Sequence, residues 1–408
     1  MTRSLVVLYA AVCLDAVGLG LVFPILPRLL TAVTGDAAVA SGIGVMTALY
    51  AAMQVVFAPV LGALGDRVGR RPVLLLSLAG AALSHVVMAL AAQFWVLLLG
   101  RAIAGLTSAN LPVAMAVITD MTPKDQRARR FGHINAMFGA GFIIGPVLGG
   151  LLGDYGLALP FLAAAGLNAG TFLLALAALP DSRAPAPAPK DTPTGEGTGE
   201  GTGAGTFNPL RALRSIASTA GLLPVILAFF VLATTGEAYG TCWALWGADS
   251  FRWDGLRIGL SLGMFGVCQT LVQALLPGPA TRLLGDRGAI LAGLGCSCAA
   301  LGILAFARQG WIVFVTMPVF ALGGLGTPAF QALAARRAAP GRQGQLQGVL
   351  ASAVGLASIV GPLFFSTAYL MVRESWPGAI WLLVAVLHLI AVPLVLVGTA
   401  RPGTERAG

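Results

Sequence analysis

The chain has 408 residues, of which 57% are hydrophobic and 10% are charged, and its formal net charge at pH 7 is +9. Soluble globular domains carry about 25% charged residues. This composition therefore excludes a soluble protein and indicates a surface that faces lipid. The basic residues are spread between apolar segments along the chain, which argues against a nucleic-acid partner.

Long apolar runs recur along the whole chain. Each is about 20 residues long, the length that a helix needs to cross the hydrocarbon core of a bilayer. The pattern predicts an all-α membrane protein with twelve transmembrane helices. The predicted spans are 5–26, 42–64, 73–92, 95–118, 131–153 and 158–180 in the first half, and 220–246, 257–284, 288–307, 311–335, 346–372 and 377–399 in the second.

Lysine and arginine are distributed unequally between the two sides that these spans define. The connections on the side of the termini, with the termini themselves, hold 19 of the 25 basic residues, and the opposite connections hold five. The positive-inside rule therefore predicts that both termini are cytoplasmic. All seven tryptophans are then expected near the external face, as an aromatic belt: Trp95, Trp243, Trp246, Trp253, Trp311, Trp376 and Trp381.

A charged, glycine-rich segment joins the second and third spans. It reads Gly62-Ala-Leu-Gly-Asp66-Arg67-Val-Gly69-Arg70-Arg71-Pro72. One acid and three arginines cannot lie in hydrocarbon, so we expect an aqueous loop. Pro72 fits the first turn of the next helix, where its missing N–H costs nothing. By its charge alone, the segment could be an ordinary positive-inside loop.

Two acids lie inside predicted spans, where polar side chains are costly and rarely without a role. Asp15 lies about 15 Å from the cytoplasmic end of the first span, given a rise of roughly 1.5 Å per residue. Glu237 lies in the outer half of the seventh span. We expect both to be functional. The alternatives are a packed, neutral or ion-paired Asp15 and a Glu237 that only marks a helix end near water.

Further polar residues lie at membrane depth. Arg101, in the fourth span, needs an anionic or carbonyl partner, for which Asp15 is the candidate, unless the guanidinium extends to the interface. Four amides indicate a polar cavity, although each could instead bond a neighbouring helix: Gln54, Asn110, Gln269 and Gln273.

The fifth span is rich in small residues. Gly141, Gly145, Pro146 and Gly149 predict a helix face without large side chains and a point at which the helix is weakened. Ordinary small-residue packing is the alternative. The five cysteines show no pairing framework, and Cys296 and Cys298 lack histidine or carboxylate neighbours, so we expect packing and no metal site. The sequence has no phosphate-binding loop, hydrolase elbow or histidine cluster. We therefore expect neither an enzyme nor an ATP-driven pump.

The chain divides at 181–216, a segment rich in proline, alanine, glycine and threonine. We expect a flexible cytoplasmic linker between an N-terminal half, 1–180, and a C-terminal half, 217–408. Gly132 and Gly145-Pro146 recur as Gly348 and Gly361-Pro362 at an offset of 216, and Gly65-Asp66-Arg67 recurs as Gly285-Asp286-Arg287 at an offset of 220. The echo predicts two pseudo-symmetric halves around a central substrate cavity.

Several of these motifs together resemble a known family. The segment 62–72 resembles the loop signature of the major facilitator superfamily, and the glycine-proline span resembles that of its antiporters. Almost the whole chain looks like the drug:proton antiporters that export tetracycline. The further segments that carry this resemblance are Leu14–Gly20, Ala48–Gln54, Gly100–Gly105, Phe251–Asp254 and Gly341–Gly348. Glu237 is a proton-coupling candidate from this sequence alone: we expect it to face the central cavity and either to contact the cationic substrate or to carry a second proton. The resemblance implies proton coupling through Asp15, with Arg101 as its partner, and a substrate cavity that includes the four amides. It also implies that Asp66, helped by Arg70, anchors the cytoplasmic side closed against the start of the eleventh helix, near 343–347.

The chain departs from that family at four places. Ser84, followed by His85, and Ser297 stand where such pumps usually carry acids, and Gln269 stands where they carry a histidine. Glu237 stands where a neutral amide is expected. Either Glu237 or His85 has taken over proton coupling, or the substrate or the stoichiometry differs.

The resemblance implies a secondary transporter of the bacterial inner (cytoplasmic) membrane that exports a tetracycline-like drug in exchange for protons by alternating access. The drug would travel as a metal chelate, so any divalent ion belongs to the substrate and no cofactor is expected. The expected partners are the drug, protons and the lipid bilayer, with the chain acting as a monomer. Export of another antibiotic or metabolite, or a non-transporting membrane sensor, are the alternatives.

Overall fold

The computed structural model describes residues 3–123, 126–179, 222–337 and 343–399. This part of the chain is helical, without strands, and contains twelve helical segments long and apolar enough to cross a membrane, which we number spans 1 to 12. The predicted linker, 181–216, lies outside the described residues. The helices of the first half are Arg3–Val22 (span 1), Leu26–Thr34, Val39–Val68 (span 2), Arg70–Ala89 (span 3), Phe94–Leu106 with Asn110–Met121 (span 4), Arg127–Tyr155 (span 5) and Leu159–Ala178 (span 6).

The second half repeats this arrangement and confirms the predicted all-α, twelve-span architecture. Its helices are Leu222–Phe251 (span 7), Gly255–Leu275 (span 8), Pro277–Phe306 (span 9), Gly310–Leu322 with Thr327–Arg337 (span 10), Gln343–Val372 (span 11) and Ala379–Thr399 (span 12). We call the end of the bundle with the connections 252–254, 307–309 and 373–378 the distal face. The opposite end, where span 1 begins and span 12 ends, is the terminal face.

Two expected boundaries are wrong. Span 8 does not reach residue 284, because the helix ends at Leu275 and Pro277, which has no N–H to donate, starts the next helix. The segment 62–72 is not a loop. Span 2 continues to Val68 and span 3 begins at Arg70, so Gly69 alone, with φ 99°, makes the turn. Both helices therefore extend beyond the apolar segments on either side.

Spans 4 and 10 are each broken in the middle, which the hydropathy pattern does not predict. Span 4 is interrupted at 107–109, and span 10 passes through a 3₁₀ turn at Gly323–Gly326. In both cases a proline follows in the first turn of the second helical piece, Pro112 and Pro328. Because proline cannot donate to the carbonyl four residues earlier, the helical hydrogen bonding is interrupted at matching depths.

The broken spans also correct the register of the internal repeat. Gly285 has φ 69° and makes a turn within the helical segment of span 9, as Gly69 does between spans 2 and 3. These two glycines are 216 residues apart, so Gly285 matches Gly69 and not Gly65, and the offset of 220 is wrong. One offset of 216 relates all the landmarks of the two halves: Gly69 and Gly285, Gln93 and Gln309, Trp95 and Trp311, Pro112 and Pro328, Pro146 and Pro362.

The two halves meet along two pairs of spans. Span 5 packs against span 8 and span 2 packs against span 11, and both contacts include close backbone approaches at glycines. Gly150 lies against Gly255, and Gly44 lies against Ser366 of span 11. These contacts lie toward the distal face. The described structure is therefore closed between the halves at its distal end.

The aromatic belt is only partly correct. Trp95, Trp311 and Trp376 are exposed, at 61%, 62% and 39%. The other four tryptophans are buried in the distal core, where Trp243, Trp246 and Trp381 pack with ring centroids 5.3–5.4 Å apart and Trp253 packs on Phe251. The hydropathy pattern places these residues at the right depth. It does not separate residues facing lipid from residues facing the bundle.

Candidate functional site

Asp15 lies in the interior of the first half. The side chains of spans 1 to 4 enclose a cavity of about 40 Å³ beside it, large enough for ordered water. Asn110, the first residue after the break in span 4, donates from Nδ2 to Asp15 Oδ1 at 2.7 Å. The break therefore brings an amide to the carboxylate at mid-membrane depth. The described partner of Asp15 is neutral, so its charge is not paired by a cation.

Arg101 lines the same cavity, but its expected ion pair with Asp15 is wrong. In the part of the chain that the structure describes, no salt bridge joins the two, and the buried Nε of Arg101 has no hydrogen-bond partner. Arg101 lies in the first piece of span 4 and Asn110 starts the second piece, so the break separates the guanidinium from the carboxylate. A cation and an anion thus share one small cavity without direct contact.

A second polar group lies at the same break. Ser108 Oγ receives a hydrogen bond from Gln54 Nε2 at 3.0 Å and lies 2.8 Å from the hydroxyl of Tyr50. Tyr50, Ser108 and Asn110 all line the cavity of Asp15. Tyr50 and Ser108 were missed as site residues, although Tyr50 lies in the motif Ala48–Gln54 and Ser108 lies two residues from Asn110. Both side chains extend the polar lining toward span 2.

Ser84 and His85, at a departure from the family pattern, also line this cavity. Both are buried, and both bond to the carbonyl of Ala81, with Ser84 Oγ at 2.8 Å and His85 Nδ1 at 2.7 Å. The imidazole extends toward Gly18 of span 1. His85 is therefore a further ionisable side chain in the cavity, on the span where the family carries an acid.

Two further departures, Ser297 and Gln269, meet in the second half. A Cβ built on Gly323 would collide with the hydroxyl of Ser297, and one on Gly324 would collide with the amide of Gln269. Ser297 and Gln269 therefore both contact the break in span 10, which repeats the break that Asn110 follows. Gln273 lies one turn farther along span 8 and is exposed. The four predicted amides thus divide between the halves and do not line one pocket among the described residues.

Glu237 packs against span 11. Its Oε1 accepts a hydrogen bond from Ser358 Oγ at 2.6 Å, and its Cβ and Cγ lie beside Gly361, where only a glycine leaves room. The side chain is partly exposed. Ser358 was not predicted, although it lies one turn before Gly361 on the same span. A carboxylate, a hydroxyl and a close backbone approach therefore meet between spans 7 and 11.

Span 5 has close contacts on two faces. Gly141, Gly145 and Gly149 lie against the backbone of span 1, where a Cβ would overlap atoms of Cys13, Val17 and Leu21. The carbonyl of Pro146 lies beside Gly259 of span 8 in the other half. The small residues therefore let span 5 pack between the helix that carries Asp15 and the opposite half of the protein.

Two arginines next to Gly69 have partners within their own half. Arg70 Nη2 lies 2.6 Å from Asp66 Oδ1, and Arg71 Nη2 donates to the carbonyl of Leu176 at 2.7 Å. Gly62 has open space beside it, and Arg67 is exposed. Asp66 itself is 65% exposed. The side chains at 343–345 lie outside the described residues, so the expected contact of Asp66 with the start of span 11 stays a prediction.

In the described part of the chain, the cavity beside Asp15 is lined by polar and ionisable groups and not by a cluster of metal ligands. Among the described residues, no group of three or more histidine, cysteine, aspartate or glutamate side chains is placed to hold a metal ion. All five cysteines are free thiols, including Cys296 and Cys298 of span 9. The polar side chains that line the cavity with Asp15 are instead a guanidinium, an imidazole, the amide of Asn110 and several hydroxyls.

Comparison with known proteins agrees with this arrangement. The family model described as Major Facilitator Superfamily matches residues 8–244 and 225–408. The chain is 42% identical over 407 residues to the class C tetracycline resistance protein of Escherichia coli, and the alignment covers 99% of both chains. It is 41% identical to the class G tetracycline resistance protein of Vibrio anguillarum, with 97% of this chain and 98% of that one covered. The fold is similar to the crystal structure of the nucleoside transporter NupG, with a TM-score of 0.78 at 14% identity over 98% of this chain and all of that one. The chain therefore belongs to the major facilitator superfamily and, within it, to the family of the tetracycline resistance proteins.

Proposed function

We propose that this protein exports a tetracycline-like drug from the bacterial cytoplasm across the inner membrane in exchange for protons. Membership of the superfamily makes it a membrane transporter and not an enzyme, and the near full-length tetracycline resistance relatives support a drug exporter. The proton coupling is supported by one observation: the partly buried Asp15 lines a small polar cavity and is hydrogen-bonded to Asn110, a neutral amide.

Proton coupling would use Asp15 as the group that takes up and releases a proton. A carboxylate without a cationic partner at that depth is costly when charged, so protonation is a low-cost way to neutralise it. Arg101, in the same cavity, would favour the charged form of Asp15 when the side chains approach. A change in their separation would therefore couple the proton to the conformation.

The drug would bind between the halves and not in the cavity beside Asp15, because about 40 Å³ holds only water-sized groups. If the drug travels as a metal chelate, the metal belongs to the substrate. Glu237 and Gln269 are then the candidates to bind the positive and polar groups of the drug, since they lie on spans 7 and 8 of the second half.

The positive-inside rule assigns the terminal face to the cytoplasm. The described structure, closed at its distal face, would then correspond to the inward-facing state of alternating access.

The test uses inverted membrane vesicles that contain the protein. A pH gradient should drive tetracycline uptake into wild-type vesicles, and Asp15→Asn should abolish it while expression and membrane insertion stay intact. Tyr9→Phe is a matched control, since this substitution alters a buried polar side chain of the same span outside the cavity. Near-normal uptake by Asp15→Asn would exclude proton coupling through Asp15. If wild-type vesicles take up another antibiotic and no tetracycline, the substrate assignment is wrong.

A further inference from the structure

An open pocket of about 570 Å³ lies on the distal face of the second half. It is formed where span 7 ends, span 8 begins and the connection between spans 9 and 10 crosses. Its lining combines three arginines with indole and phenyl rings: Arg252, Arg257, Arg308, Trp253, Trp311, Phe251 and Phe314. A cluster of cations beside aromatic rings at the end of membrane helices is chemically suited to an anionic, amphipathic ligand.

The charge of this pocket is unusual for its location. The distal face carries only five of the 25 basic residues of the sequence. In the described residues, two of the five are neutralised by acids, Arg28 by Asp154 and Arg373 by Asp249. The other three all line this pocket and form no salt bridge. The unpaired positive charge of a face that is otherwise poor in basic residues is thus concentrated at one place.

The backbone around the pocket is held in a special conformation. Among the described residues other than glycine, Arg252 alone has a positive φ, at 54°. This backbone conformation costs free energy and recurs at binding sites. The next residue, Trp253, is buried and packs on Phe314 with ring centroids 5.6 Å apart. Asp254 is the N-cap of span 8, and its carboxylate accepts a hydrogen bond from the backbone N–H of Arg257 at 2.8 Å. This acid therefore caps a helix and does not pair with a guanidinium.

The first half provides an internal comparison. The offset of 216 relates Gln309 and Trp311 to Gln93 and Trp95, and in both halves the exposed indole donates to the glutamine side chain. The three arginines have no such counterparts. Asp36, Ser41 and Ala92 stand at the positions that match Arg252, Arg257 and Arg308. The cationic pocket is therefore not a remnant of the duplicated fold.

We infer that this pocket binds the phosphodiester headgroup of an anionic phospholipid from the leaflet at the distal face. Arginine guanidinium groups donate paired hydrogen bonds to phosphate oxygens. Trp311, at 62% exposure, is placed as tryptophans are at the headgroup level of a bilayer. The apolar rings of Phe251 and Phe314 offer a surface to the glycerol and the first acyl carbons, which a free phosphate ion would not use.

The experiment measures lipid retention by the purified full-length protein. Native mass spectrometry from detergent supplemented with phosphatidylglycerol should show one tightly retained lipid per chain, whereas phosphatidylcholine should show none at this site. The triple substitution Arg252→Gln, Arg257→Gln and Arg308→Gln should remove that lipid. A control triple with the same charge change near the terminal face, Arg129→Gln, Arg282→Gln and Arg287→Gln, should keep it.

A second variant covers the case in which the triple substitution fails to fold. The matching position of the first half, Ala92, already holds an alanine. The connection between spans 9 and 10 should therefore tolerate Arg308→Ala. Its binding of phosphatidylglycerol should weaken about tenfold, as expected for the loss of one charge-assisted contact.

Thermal stability separates lipid from free anion. Phosphatidylglycerol should raise the melting temperature of the wild type, and the same concentration of inorganic phosphate should not. Three results would each overturn the proposal. They are equal retention of phosphatidylglycerol by the wild type and the arginine variants, an equal loss of the lipid in the control triple, and an equal shift of the melting temperature with inorganic phosphate. The measurement needs no drug, so its result is independent of the proposed transport function.

Discussion

Arg373 holds both carboxylate oxygens of Asp249, with its Nε 2.7 Å from Oδ2 and its Nη2 3.0 Å from Oδ1. The hydroxyl of Tyr369 donates to the same carboxylate at 2.7 Å, and Asp249 raises the pKa of the Arg373 guanidinium. The remaining nitrogen of Arg373, Nη1, donates to the carbonyl of Asp36 in the first half at 3.0 Å. One ion pair between spans 7 and 11 thus also joins the two halves at the distal face.

This geometry predicts that Arg373→Gln opens the distal face. Charge-assisted hydrogen bonds contribute roughly 1.5–3 kcal/mol each, so the ratio of open to closed molecules should rise at least about tenfold. Spin labels at the exposed positions Ser41 and Glu374, in a background without cysteine, would report the distance between the halves. Arg28→Gln is the matched control, because its partner Asp154 lies in the same half. An unchanged distance distribution for Arg373→Gln would contradict the prediction.

Glu237→Gln should reduce drug export sharply and change its pH dependence. The carboxylate lies on span 7 in contact with Ser358 of span 11, and the substitution keeps the size of the side chain while removing a charge and a titratable proton. The measurement is the rate of gradient-driven uptake into inverted vesicles across a pH series. Ser358→Ala serves as a comparison that removes only the hydrogen bond. Full drug resistance with an unchanged pH profile would make Glu237 a structural residue.

Asp66→Ala should slow transport without removing substrate binding. The pair of Asp66 and Arg70 is exposed, and such pairs contribute at most about 1 kcal/mol to stability, so the folded protein should survive the change. The family resemblance assigns Asp66 to the contact that closes the terminal face. Initial uptake rates and equilibrium drug binding, measured together, separate the two effects. If Asp66→Ala transports at the wild-type rate, Asp66 does not hold the terminal face closed. Glu374→Ala on the distal face controls for the loss of a surface carboxylate.

Gly149→Ala should destabilise the protein, whereas Gly139→Ala on the same helix should not. A Cβ on Gly149 would overlap the backbone of Leu21, while a Cβ on Gly139 meets nothing within 4 Å. Forcing an extra methyl group into a packed interface costs typically about 1–3 kcal/mol. The melting temperature in detergent and drug resistance in cells provide the measurements. Equal stability of the two variants would show that the approach of spans 1 and 5 is not tight.

The sequence was sufficient for the architecture because the hydrophobic length of a segment is a local property. Twelve apolar runs predicted twelve spans, and the small residues Gly141, Gly145 and Gly149 indicated close helix packing, which the structure shows against span 1. The repeat was visible at an offset of 216 in spans 5 and 11. Asp15 could be selected as a candidate site residue, since an acid inside an apolar run is costly and is seldom found there without a role.

Only the tertiary structure decided which of these side chains meet. The break in span 4 places Asn110, and not Arg101, on Asp15, because a helix interruption redirects the side chains that follow it. Gln54 and Gln269, which the sequence already places in different halves, each contact the break of their own half. Composition and spacing determined that polar groups would lie inside the bilayer. Their partners depend on contacts between helices distant in sequence, and such contacts leave no periodic signal along the chain.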